Sequence, residues 1–320
     1  MNNNGVSKKQ ARVVVIGGGT GVFTVLSGLR KYPLDLNAVV TMADDGGSTG
    51  ILREEFGILP PGDVRRALVA LSYADNRILA DLFNYRFEEG SLKGHAFGNL
   101  MLTALERLCG DFGDAVSEAA KILAVRGKVL PVTLANVRLH AMLEDGTMIR
   151  GEENIDIPKH DPRLKIKKVF LEPKASIHPK AEHAILRADL IVIGPGDLYT
   201  SIMPNLVVGG MRETLARAKG KKVYVVNIMT KWGETNGFLV NDFIRVIESE
   251  LGHGVLDYAV INTKRPSASR FYRYEKEFSE FVIPGDLPQS PMPVFGDFLR
   301  RQGFVRHDPE KLASILVSLL

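Results

Sequence analysis

The chain is poor in cysteine, in tryptophan and in unbalanced charge. Its single cysteine, Cys109, excludes an intrachain disulfide and suits a reducing compartment. Cys109 falls in LTALERLCG, on an expected helix, where a buried, inert thiol is the simpler expectation and a reactive nucleophile the sharper one. No apolar run approaches the length of a membrane span, and the leader MNNNGVSKKQ lacks the apolar segment of a signal peptide, so a cytoplasmic location is expected. The 41 basic and 37 acidic side chains nearly cancel, to a formal charge of +4, which argues against a dedicated nucleic-acid binder. Common catalytic signatures are missing as well. There is no H-E-x-x-H and no Cys/His metal spacing, and the seven histidines are scattered.

What is present is an ordinary globular composition, 45% apolar and 24% charged over 320 residues, enough for a large buried core. Unbroken apolar runs at 12–17, 37–43, 188–194, 222–228 and 257–263 read as parallel strands covered on both faces. Helical patterns at 20–31, 63–72, 97–124, 205–219, 237–251 and 309–319 follow most of them. The order predicts an α/β fold: a doubly wound, mostly parallel, Rossmann-like sheet forming one domain over 1–320. The stretch 128–171 breaks this rhythm. Asp145-Gly146 sits there between two strand-like runs, a hairpin signal, so an antiparallel β insertion is expected. Its basic cluster (Lys159, Arg163, Lys165, Lys167, Lys168) suits either an acidic partner or, more simply, a lysine-guarded edge strand. The segment Pro284–Pro293 reads as a surface loop.

Five loops at strand ends carry the chemistry, since open α/β sheets bind ligands there. In VVVIGGGTGVF, Gly18, Gly19, Thr20 and Gly21 offer bare backbone to an anion at a helix start. Val22 and Thr24 stand where a dinucleotide fingerprint needs its last glycine, and no Gly-Lys-Ser/Thr follows, so the loop is a generic phosphate cradle. In MADDGGSTG, Asp44, Asp45, Gly46, Gly47 and Ser48 suit a ribose, a metal or a plain Asp-Gly turn. In PPGDVRR, Asp63 reads as an N-cap, while Arg65 and Arg66 stand at the wrong end of the helix dipole and so point to an anion. The fourth loop, IGPGDLYTS, brings Gly194, Gly196, Asp197, Tyr199, Thr200 and Ser201; the fifth brings Asn227, Thr230, Glu234, Thr235 and Asn236. His95 lies in GHAFGNL with Asn99, where a packing role and a ligand contact both stay open.

Seven ordered blocks resemble a known family: GGGTGVFTVLSGLR, TMADDGGSTGILREEFGILPPGDVRRALVAL, LKGHAFGNL, AVRGKVLPVT, DGTMIRGE, ADLIVIGPGDLYTSIMPNL and MTKWGETNGF. The family joins the YvcK-type gluconeogenesis factors to the 2-phospho-L-lactate transferases (CofD). The intact block from Asp44 to Arg65, and Val22-Phe23-Thr24 after GGTG, place the resemblance on the gluconeogenesis-factor branch. That branch more often has glutamine-proline before GET and aspartate-histidine soon after; here Lys231-Trp232 and Asp242-Phe243 stand there. The resemblance implies a cytosolic regulator of cell shape and wall growth on gluconeogenic carbon sources. Its implied ligand is a UDP-sugar, UDP-N-acetylglucosamine first, and no reaction is implied with it. The other branch implies a transferase with Mg²⁺ at Asp45 and Asp63 beside a nucleotide diphosphate. Tyr274 and Arg306 match the family's tail, where Asp308-Pro309 also reads as a plain cap. Homo-oligomerisation stays open, and cell-wall regulatory proteins are the implied partners.

Overall fold

The computed structural model describes residues 10–72 and 77–320; the leader read above otherwise lies outside them. Its strands are β1 (Ala11–Gly17), β2 (Leu34–Val40), β3 (Lys128–Pro131), β4 (Arg138–Leu143), β5 (Met148–Arg150), β6 (Ile166–Glu172), β7 (Leu190–Ile193), β8 (Lys221–Val225), β9 (Tyr258–Asn262) and β10 (Met292–Gly296). Seven form a sheet in the order β10-β9-β8-β7-β1-β2-β3, and every pairing in it is parallel. The remaining three form a separate antiparallel sheet, β5-β4-β6.

The unbroken apolar runs follow from burial on both faces. Val13 and Val15 of β1 face a core shared with the helices Gly19–Leu29, Gly62–Leu71, Phe97–Cys109, Phe112–Ile122 and Pro309–Ser318. Val14 and Ile16, half a pleat away, face the second core, which the antiparallel sheet and the helices Pro179–Arg187 and Val240–Leu251 close. The sheet grows outward both ways from the β1/β7 pair. The loops after these two strands therefore diverge from a topological switch point, where such sheets leave a crevice.

Several expectations change in detail. The run 97–124 is two helices, broken at Gly110 (φ 78°) and restarted by Asp111, whose carboxylate accepts from Asp114 N at 3.0 Å. The run 205–219 likewise splits into Met203–Leu206 and Met211–Arg217. The stretch 128–171 divides: Lys128–Pro131 pairs with β2 in the parallel sheet, and the antiparallel sheet proper runs from Arg138 to Glu172. Its Asp145-Gly146 turn does join β4 to β5, with Met142 opposite Met148. Lys167 and Lys168 lie exposed on β6, the edge strand, as solvated guards of that edge. The loop expected at 284–293 runs into β10, whose pairing with β9 begins at Met292. Cys109 is exposed, not buried: it ends its helix, whose buried face is Gly98, Asn99, Leu102 and Thr103.

Candidate functional site

The crevice at the switch point is a groove of about 760 Å³. Gly18, Gly19, Thr20 and Gly21 line it from the β1 side, and Gly196, Asp197, Thr200 and Ser201 from the β7 side. The two loops interlock. Gly21 packs so closely on the Pro195 carbonyl that any side chain there would collide with it. Asp44, Gly46, Gly47, Ser48, Arg65, Asn99, Asn227, Thr230, Tyr274 and Arg306 complete the part expected from sequence.

Besides Asn236, which accepts from Gly233 N at 2.8 Å within its own turn, five expected residues do not reach the groove. Gly194 turns the chain at φ 73°. Tyr199 is 4% exposed and directs its hydroxyl to the Ile166 carbonyl at 3.4 Å. Glu234 lies beneath the wall, accepting from Tyr199 N at 3.3 Å and Thr200 Oγ1 at 3.4 Å. Thr235, 2% exposed, accepts from Lys231 N at 2.9 Å. Asp45 is the fifth: its carboxylate accepts from Glu153 N at 2.8 Å and stands 3.5 Å from Arg138. Neighbouring side chains at 44 and 45 point apart, and it is Asp44 that enters the groove. The carboxylate pair expected as Asp45 and Asp63 is therefore Asp44 and Asp63. Asp63 does not cap its own helix, which starts one residue earlier; it accepts from Gly19 N at 2.9 Å and ties the third loop to the first. His95 contacts Ser48 Oγ at 3.0 Å through Nδ1 and so holds that hydroxyl at the groove's edge.

The structure adds residues that sequence reading passed over. Glu152, Glu153 and Asp156 come from the short helix Glu152–Asp156 of the antiparallel insertion and line the groove opposite the glycines. Their only signal in sequence was an acidic run after a glycine. Glu152 shares its surroundings with Asp44, Asp45, Asp63 and Asp156; burial first, then these charges, push its carboxyl up to about 10. Burial and Asp63 likewise raise Asp44 to about 6, and burial raises Asp63. Side chains at Gly18 or Gly62 would occupy the space of the Asp63 and Asp44 carboxylates, so the glycines make room for this cluster. Crowded, desolvated oxygens of this kind share the oxygen-ligand chemistry of a hard divalent cation, but among the described residues only Asp156, Asp197 and Glu234 bring three ligand oxygens within 4.8 Å of one another.

Lys231 stands at a position where the family resemblance carried nothing over. Its ammonium sits among three carboxylates, 2.9 Å from Glu234, 3.1 Å from Asp197 and in closer contact with Asp156. Burial works against its charge, but Glu234, Asp197 and Asp156 raise its pKa on balance. Trp232 beside it stacks on Phe278 at 4.9 Å. Asp242 and Phe243 serve their own helix, one accepting from Leu239 N at 2.9 Å and the other buried in the core.

The opposite bank is cationic. Arg65 is 5% exposed, donating to Asn99 Oδ1 at 3.0 Å and Asn84 Oδ1 at 2.6 Å. Burial, then Arg66 and Arg86, lower it to about 10, so it remains charged at neutral pH. Arg66 stands 3.7 Å from Asp63, and Tyr274 accepts from Val305 N at 3.0 Å, bracing the segment that carries Arg306.

Known proteins are similar to this chain over nearly its whole length. The family model for the 2-phospho-L-lactate transferase CofD matches residues 13–290. A gluconeogenesis factor of Bacillus subtilis is 42% identical, over 98% of this chain and 99% of its own length. One from Listeria monocytogenes is 43% identical, over 97% and 95%. A crystal structure of a Bacillus halodurans protein superposes with a TM-score of 0.91 at 41% identity, covering 97% of this chain and 99% of that one. The chain belongs to the CofD-like family, together with the gluconeogenesis factors.

Proposed function

We propose that the groove binds a UDP-sugar, UDP-N-acetylglucosamine first, and that the protein is a cytoplasmic regulator of wall growth and cell shape on gluconeogenic carbon sources. One observation carries the binding reading. Interlocked glycine loops from both strands of the switch point line one groove together with arginines and carboxylates. The groove-lining glycines at 18, 19 and 21 and the start of the helix Gly19–Leu29 suit a diphosphate. Ser201, Asn227 and Thr230 offer the neutral donors and acceptors that a base or a sugar needs. The names of the relatives support the regulatory part.

Thermal shift tests it. UDP-N-acetylglucosamine is expected to raise Tm by roughly 2 °C or more at saturation, and Asn227→Ala to abolish most of the shift. Asp45→Ala, whose side chain lies outside the groove, is expected to leave the shift in place. A response to GDP or a deazaflavin with none to UDP-sugars would sink the reading.

The acidic cluster favours one alternative, a Mg²⁺-dependent transferase acting on a nucleotide-diphosphate-linked substrate. Asp44, Asp63 and Glu152 would hold the cation, which when bound supplies charge neutralisation of a diphosphate leaving group. Product formed from a UDP-sugar with Mg²⁺, and lost in Asp63→Asn, decides for this alternative.

A further inference from the structure

A second cavity of about 410 Å³ shares a wall with the groove. Arg65, Arg66, Arg300 and Arg306 line it, and among the described residues no aspartate or glutamate does. Burying guanidinium charge is costly unless it is paired. Yet Arg65, nearly inaccessible to solvent, uses its donors on two neutral amides, Asn99 and Asn84. Asp63 is 3.7 Å from Arg66 and also serves Gly19 N, and Asp44 acts with it on Arg65 and Arg66, so two carboxylates stand beside the four guanidinium groups. His307 borders both cavities and is 6% exposed, with Nε2 unpartnered among the described residues. Burial holds its pKa down to about 4, so it is neutral and adds no charge of its own.

Arginines that line one small space, with no carboxylate among its described lining residues, suit oxyanions with several acceptor oxygens. Phe23 and Pro309 add an apolar flank for a short carbon skeleton. The volume lies at the small end of ligand pockets. We propose that this chamber is a second ligand site that takes a small phosphomonoester alongside the occupant of the groove. The phosphate faces the four arginines, and the carbon skeleton lies against Phe23 and Pro309. Thr20, Thr24, Arg65, Arg66, Arg306 and His307 are common to both cavities, so the two occupants would meet there; Arg300 belongs to the chamber alone.

The test is calorimetric titration of the full chain at fixed ionic strength, with inorganic phosphate and with glycerol 2-phosphate as probes. Saturable binding is expected for both. Arg300→Ala, an exposed position whose recorded contacts are made by its backbone, is expected to weaken binding at least tenfold with unchanged Tm. Saturating UDP-N-acetylglucosamine is expected to leave the phosphate affinity within about threefold. Absence of saturable binding overturns the proposal, as does wild-type affinity in Arg300→Ala. Complete competition by the nucleotide-sugar also overturns it, because the chamber is then part of a diphosphate site. The proposal goes beyond the nucleotide-sugar reading and does not rest on it. A chain that binds phosphate through Arg300 and ignores UDP-sugars refutes that reading alone.

Discussion

Lys231 holds three carboxylates together in the groove wall. One oxygen from each of Asp156, Asp197 and Glu234 lies within 4.8 Å of the others, a spacing that could suit a metal ion, and the ammonium fills it instead. Glu234 is 3% exposed, so removing its counter-charge strands a buried carboxylate. Lys231→Met is therefore expected to cost about 3 kcal/mol in denaturant unfolding at pH 8. The deficit should shrink on acidification, because the freed carboxyls then take up protons in the folded state, and it should shrink on adding Mn²⁺. An unchanged midpoint in Lys231→Met would refute this account. At this scale the glycines were legible in sequence, because lacking a Cβ is itself the property the site uses. The choice between Asp44 and Asp45 was not, since adjacent residues look alike in sequence and face opposite ways in space.

Among the elements, the helix Gly19–Leu29 holds the site together. Its first turn presses Gly21 onto the Pro195 carbonyl, and its last presses Gly28 onto the Pro309 carbonyl at the start of the C-terminal helix. A methyl group at position 28 has no space, so Gly28→Ala is expected to cost about 1–3 kcal/mol by overpacking. Hydrogen exchange should show it locally: amides of Pro309–Ser318 would open earlier than those of β1 and β7. Uniform loosening of all three would place the strain elsewhere. The central strands were readable as elements because parallel strands buried on both faces stay apolar throughout. The helices Gly47–Phe56 and Glu152–Asp156 were not, because each is short and mostly polar and is held by tertiary contacts such as Arg53 to the Val137 carbonyl at 2.6 Å.

Over the whole molecule, the two banks of the groove make stability depend on pH in opposite directions. The Glu152 carboxyl is raised from 4.5 to about 10 on folding, so the native state holds its proton more tightly. Its contribution is complete below 4.5 and is lost as pH rises toward 10. His307 is lowered from 6.5 to about 4, so its contribution is complete above 6.5 and is lost as pH falls toward 4. Glu152→Gln removes the first limb. It is expected to raise Tm at pH 8 by roughly 2–4 °C, with a smaller gain at pH 5. An equal gain at both values would mean that Glu152 does not titrate differently on folding.

The sequence by itself determined the parallel α/β core and the glycine loops at its strand ends. Both depend on local properties, apolar period and the absence of a side chain, that each segment carries alone. Its seven blocks also matched the family that the comparisons then showed. Only the tertiary structure decided that Asp44 and not Asp45 meets Asp63, that Glu152 crosses from the insertion to face them, and that Lys231 fills a ring of carboxylates. It alone gathered Arg65, Arg66, Arg300 and Arg306 around one chamber. These are relations between residues far apart in the chain. Their energies come from burial and mutual charge, which do not exist until the sheet has brought them together.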